Sequence, residues 1–384
     1  MTISEILSNE ELRRHEFPVV REKIFLAHAG VCPIPRRVAE AIVNYAQQST
    51  LGDQEALVPA MQIQKFRETA ARLINAKPDE IAFVGPTSLG LSFVASGLQW
   101  RKGDNILIYF DDYPSNVYPW MALAEKGVQV RLMNIRELGK IRAIDVIGQV
   151  DESTRLVALA SNHFIAGYRL DIRAIGEFLR KRNILFCLDA IQTLGAFPTS
   201  VGNVDFAAAD AHKWLLGPCA AGILYVRKAV QEKLKPTVFG WHNVSCPNYT
   251  AQEKIVHPSN ARRYEAGSEN FLGLVGLHAA MEMLLELGIE NIAEELLRKR
   301  KWLVPALQSK GYTVLQADAP PENASGIVSF YREGDDTISA LHKKLEQANI
   351  ITSLRTDRTE RRYIRLSPHF YNTDEELHRL LELV

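Results

Sequence analysis

The chain has 384 residues, and its 45 Lys+Arg balance 45 Asp+Glu; a neutral surface argues against a nucleic-acid partner, and this length suits a large domain plus a smaller one. Its four cysteines (Cys32, Cys187, Cys219, Cys246) form no C-x-x-C pair, which argues against a metal site or disulfide framework and for a reducing cytoplasm. Residues 1–16 lack the apolar stretch of a signal peptide, and no run reaches the roughly 20 apolar residues of a membrane helix.

Between residues 24 and 226 short aliphatic runs alternate with helical periodicity. Residues 81–84, 105–110, 155–160, 184–188 and 204–209 read as strands, with helical patterns over 88–100 and 171–182. This alternation predicts an α/β fold with a mostly parallel sheet flanked by helices. The segment 241–258 reads as a connection. Beyond it, helices are predicted over 271–287, 289–309 and 337–348, and strands over 311–315, 327–331 and 362–366. Asn372-Thr373-Asp374-Glu375-Glu376 reads as a capped helix start. The expected division is a large domain over 20–255 and a smaller α+β domain over 256–384, joined by the N-terminal segment 1–19.

In such sheets ligands sit at the carboxyl ends of strands. Asp189 ends one apolar run, and Lys213 follows another. A carboxylate and a lysine so placed suit pyridoxal 5'-phosphate (PLP). The amine condenses with the cofactor aldehyde, and the carboxylate keeps a proton on the pyridine nitrogen so that the ring accepts electrons. Taken singly, Lys213 could be a snorkelling strand-end lysine, Asp189 a helix cap, and Gln192 half of a capping box rather than a donor to the cofactor phenolate. Thr87 and Ser88 open a helix whose free N–H groups could hold a phosphate, as could those of any capped helix. Tyr113 could stack on the pyridine or be a loop tyrosine. Asn162, just past a strand, could donate to cofactor or substrate, while His163 receives no role. His28 could approach the substrate from an early turn or be a plain turn histidine. Arg365 offers a fork for a substrate α-carboxylate, or is a surface strand arginine.

Five motifs in order then resemble the class V aminotransferase family of fold-type I PLP enzymes, which includes the cysteine desulfurases. They are Phe25-Leu26-Ala27-His28-Ala29-Gly30, Asp189-Ala190-Ile191-Gln192, His212-Lys213, the run from Arg263 to Asn270, and the run from Arg365 to Thr373. The resemblance implies covalent attachment at Lys213, a pyridine contact from Asp189 and a phenolate contact from Gln192. It places His212, Thr87 and Ser88 at the phosphate, sends Ser268 to the phosphate of a neighbouring subunit in a homodimer with shared sites, and gives the substrate carboxylate to Arg365. There are two departures. Tyr113 stands where many relatives stack a histidine. The loop 351–359, where desulfurases carry their nucleophilic cysteine, contains none.

The expected activity is that of a PLP-dependent enzyme on an amino-acid substrate, a small molecule, with no membrane partner. The substrate amine displaces Lys213, which then takes the α-proton as base. Transamination is put first, with C–S lysis or epimerisation as alternatives sharing the same residues. A non-catalytic PLP-fold binding protein is the remaining reading.

Overall fold

The computed structural model describes residues 1–332 and 337–384. A short strand, β1 (Ile24–Phe25), precedes seven that build the main sheet: β2 (Ile81–Val84), β3 (Asn105–Ile108), β4 (Gln129–Leu132), β5 (Thr154–Ala160), β6 (Leu185–Asp189), β7 (Phe206–Asp210) and β8 (Gly222–Val226). Their order is β2-β8-β7-β6-β5-β3-β4. Strands β3 to β7 run parallel, and β8 is antiparallel to both its neighbours. The sheet is thus mostly parallel and flanked by helices, as the alternating pattern predicts.

Both faces are covered, which explains the continuous apolar runs. Successive side chains point to opposite faces. Leu107, Val157, Leu159, Phe186 and Leu188 therefore enter one core with Phe271–Leu287 and Ala60–Ile74. Ile106, Ile108, Leu156, Ala158 and Cys187 enter the other, with the helix Thr87–Gly97 and Trp120. Phe271–Leu287 is apolar nearly all round because it is buried, and Asn270 caps it by accepting from Gly273 N at 3.0 Å. Among the described residues no single helix is long and apolar enough to cross a membrane.

The later chain builds a second sheet from β9 (Thr313–Val314), β10 (Val328–Tyr331), β12 (Ser353–Thr356) and β13 (Arg362–Leu366), in order β12-β13-β10-β9, while β11 (Ile350–Ile351) pairs in parallel with β1. One face of this sheet (Val328, Phe330, Ile364, Leu366) packs on Leu303, Leu307, Leu345, Leu377 and Leu380. The opposite face is polar and leans on the large body. Ser329 Oγ donates to Ile165 O at 2.6 Å, and Arg365 Nη1 donates to Phe164 O at 2.7 Å. The C-terminal helix Asp374–Leu383 opens with the capping box Thr373/Glu376. Four strands among β2 to β13 escape the sequence reading: β4 is polar and only partly buried, β8 opens on a glycine, β11 has two residues, and β12 lies inside the stretch that reads as a loop.

Candidate active site

The carboxyl ends of the parallel strands meet the polar face of the second sheet around a cavity of about 280 Å³. Its wall includes Thr87, Ser88, Tyr113, Asp189, Gln192, His212, Lys213 and Arg365 from the sequence reading, together with Gly30 and Arg355.

Lys213 and Asp189 are both buried, at 6% and 2% exposure. Burial is the main cause that lowers the Lys213 amine to about 8; the nearby arginines push the same way, and Asp189 opposes them. Burial likewise raises the Asp189 carboxyl to about 6, against a hydrogen bond from Ile191 N and the charge of Lys213. That bond, 3.1 Å to Asp189 Oδ1, caps a turn rather than a helix, because residues 191–196 form turns. Among the described residues no donor reaches the second oxygen of Asp189. A buried carboxylate in this state is completed by a cationic N–H. A protonated pyridine nitrogen is such a group.

Gln192 is held at both ends of its amide: Nε2 donates to Ala29 O at 3.1 Å, and Oε1 accepts from Trp214 Nε1 at 2.9 Å. One N–H remains for a ligand. Thr87 Oγ1 accepts from Asp210 N at 2.9 Å, tying the helix start to the end of β7. Asp210 in turn pairs with His212 Nδ1 at 2.8 Å. The first N–H groups of a helix have no intrahelical partner, so Thr87 and Ser88 can take a phosphate beside His212. The helix lies close on the sheet because position 90 is glycine: a Cβ there would stand 2.9 Å from Ala208 Cβ. The Tyr113 ring, 44% exposed, has Lys213 Nζ 5.1 Å from its centre. The residues present therefore fit PLP: an amine for the aldehyde, an acid for the ring nitrogen, an aromatic face and an anion cradle.

Three expected residues stand elsewhere. His28 is fully buried, with Nδ1 on Ser367 O at 2.9 Å and Nε2 on Tyr371 Oη at 2.6 Å. It is off the cavity wall, which takes Ala29, Gly30 and Val31 from that turn instead, and burial lowers its imidazole to about 4. The substrate role for His28 is corrected accordingly: it pins the turn. Asn162 lies behind Gln192, donating to its carbonyl at 3.4 Å, and its buried Oδ1 has no hydrogen-bond partner. Ser268 lines a different cavity, with Glu269 and Asn270, and donates to Glu55; within one chain it does not meet Lys213. His163 is also structural, with Nε2 on Asp111 O at 2.9 Å and Nδ1 accepting from Ala166 N at 2.9 Å.

Two residues the sequence reading missed complete the surroundings. Asp112 is buried below Tyr113, accepts from Tyr113 N, Asn116 and Ala160 N, and is raised to about 7 by burial and by Asp189. The pair Asp111-Asp112 at a strand end was the available signal. Arg355 brings a second guanidinium to the cavity. Its signal lay in strand pairing rather than in any local motif.

Comparison with known proteins agrees with this geometry. The sequence profile of the family Aminotransferase class-V matches residues 24–380. A probable cysteine desulfurase of Methanothermobacter thermautotrophicus is 30% identical, over 98% of this chain and 97% of the relative. The uncharacterized aminotransferase YcbU of Bacillus subtilis is 29% identical, over 97% and 96%. Among solved structures, an apo cysteine desulfurase from Thermococcus onnurineus NA1 superposes with a TM-score of 0.88 at 23% identity, covering 96% of each chain. The cystine C-S lyase C-DES, in complex with cysteine persulfide, gives 0.85 at 24%, covering 95% of this chain and 98% of that one. With the fold-type I architecture and the lysine–aspartate cavity together, the chain belongs to the class V aminotransferase family and is a PLP-dependent enzyme.

Proposed function

We propose that this enzyme is a carbon–sulfur lyase that eliminates sulfur from Cβ of a cysteine-type amino acid without using a thiol of its own. One observation carries the reading: the cavity wall holds Lys213, Asp189, Arg355 and Arg365, and no cysteine. Cys32 and Cys187 are buried, and burial pushes the Cys32 thiol up to about 12 and the Cys187 thiol well above its usual value. Such thiols are poor nucleophiles. The names of the relatives support sulfur chemistry, one a probable cysteine desulfurase and one a cystine C-S lyase. This puts elimination ahead of the transamination that the sequence reading placed first.

Bound PLP supplies an electron sink for the pair left at Cα. The rest is the work of this chain's residues. The Arg365 fork orients the α-carboxylate. Lys213, with its amine tuned to about 8, takes the α-proton. Asp189 keeps a proton at the ring nitrogen. Thr87, Ser88 and His212 hold the phosphate, and Gln192 donates to the phenolate oxygen. The Cβ–S bond breaks with its electron pair leaving on sulfur. With L-cysteine and one water, the products are pyruvate, ammonia and sulfide.

The test is incubation with L-cysteine and L-cystine in the absence of any keto acid. Pyruvate and ammonia should form in equal amounts over many turnovers, with sulfide or persulfide alongside. Keto acid without ammonia, stopping after one turnover until an acceptor is added, would overturn elimination in favour of transamination. Alanine as the carbon product would point instead to desulfuration through an external thiol.

A further inference from the structure

The cavity carries more positive charge than the family chemistry uses. Ser353 pairs with Arg365 across β12 and β13, and Arg355 pairs with Tyr363. Arg355 therefore stands two residues along from the partner of Arg365, on the same face, as its diagonal neighbour. The two guanidinium ends converge. Arg365 Nη2 lies 3.6 Å, and Arg355 Nη2 3.7 Å, from the point a side-chain carbon on residue 30 would occupy; residue 30 is glycine and leaves that space open.

The two arginines are engaged differently. Arg365, 1% exposed, spends Nη1 on Phe164 O and Nη2 on Ser353 Oγ, which leaves its buried Nε without a partner. Arg355 makes no side-chain hydrogen bond or ion pair among the described residues, and its buried Nε is also without a partner. No carboxylate of the described residues pairs with either. Two like charges so near one another repel in a partly dry cavity, and a planar carboxylate fills one fork bidentately, leaving the other wanting an anion.

We infer that the substrate carries a second anionic group at the end of its side chain, with Arg365 holding the α-carboxylate and Arg355 the distal anion. The inference rests on the amino-acid-processing reading above and narrows it to cysteine derivatives whose sulfur substituent ends in a carboxylate or sulfonate. The charge at the far end is what Arg355 reads.

The test measures binding to the cofactor-loaded enzyme with α-methyl-L-glutamate and its carboxamide analogue α-methyl-L-glutamine. Neither has an α-proton to lose or a sulfur to release, so charge preference is read apart from carbon–sulfur cleavage. The dianionic compound should bind at least tenfold more tightly. Arg355→Gln should abolish that preference while changing carboxamide binding by less than about threefold. Equal affinity for the two compounds in the native enzyme would overturn the inference. So would an Arg355→Gln variant that loses both equally, since Arg355 would then serve the α-carboxylate. A preserved charge preference with no sulfur product from cysteine derivatives would sink the lyase reading and leave this one standing.

Discussion

At the scale of single residues, the cavity is governed by two buried groups of opposite sign, each shifted toward its neutral form. Lys213 must be a free amine to attack an aldehyde, and its value near 8 leaves most of it protonated at pH 6. Capture of PLP by the cofactor-free protein should therefore speed up about tenfold per pH unit below 8 and level off above it. Stopped-flow absorbance of cofactor addition reads this directly, and a flat profile from pH 6 to 9 would remove Lys213 as the attachment point. Asp189 behaves conversely. Its folded value, about 6, lies above the ordinary 3.8, so the folded protein holds that proton more tightly. The stability this contributes is present below about pH 4 and is lost as pH rises through 6. Asp189→Asn keeps the neutral shape, so the cofactor-free variant should gain on the order of 1–3 kcal/mol at pH 7 and little at pH 4. Turnover of the cofactor-loaded variant should fall at least about 100-fold. Thermal melts at both pH values check the sign; a variant destabilised at pH 7 would reduce Asp189 to a cap for Ile191. Lys213 and Asp189 stood out in the sequence because Asp189 follows the uninterrupted apolar run 184–188 and Lys213 a mostly apolar one, where an ionisable group demands a reason. His28 was misread because the reason it is buried, a bond to Tyr371, comes from 343 residues away.

At the scale of elements, the site depends on how closely helices and strands approach one another. The helix Thr87–Gly97 rests on β7 through Gly90. Alanine there would gain up to about 1 kcal/mol of helix propensity, but its Cβ would overlap Ala208, and overpacking costs about 1–3 kcal/mol. The clash wins because the contact atom is the Cβ of a strand residue, which can move only with its backbone. Gly90→Ala should lower the melting temperature and weaken PLP binding several-fold by lifting the phosphate cradle. A melting temperature at or above the native value would refute that account. The same scale explains why Arg355 was invisible in the sequence. A stretch with two arginines and no alternation reads as a loop, and only the register of β12 on β13 sets Arg355 beside Arg365. Register is fixed by the partner strand, so no local pattern announces it. Helices with explicit caps, such as Asp374–Leu383, were read correctly because cap and acids sit side by side in the chain.

At the scale of the whole molecule, the layered architecture was legible because buried parallel strands leave continuous aliphatic runs. What faces outward was not. Val238, Phe239, Trp241, Tyr249, Ile255 and Val256 are all exposed within one segment, and an apolar stretch of that kind marks an interaction surface. We propose that a second copy of this chain covers it and brings Ser268 to a neighbouring cavity. Light scattering should give twice 43.1 kDa, and Phe239→Glu with Val256→Glu should halve that mass and weaken PLP binding; a native monomer with full cofactor affinity would end the proposal. The distribution of sulfur in the molecule has a practical side as well. Cys219 is exposed, Cys246 is half-buried, and the other two thiols are sealed inside the fold. Iodoacetamide should therefore mark Cys219 first while catalysis continues undiminished, so an alkylated preparation would remain a working enzyme where a thiol-dependent one would be dead.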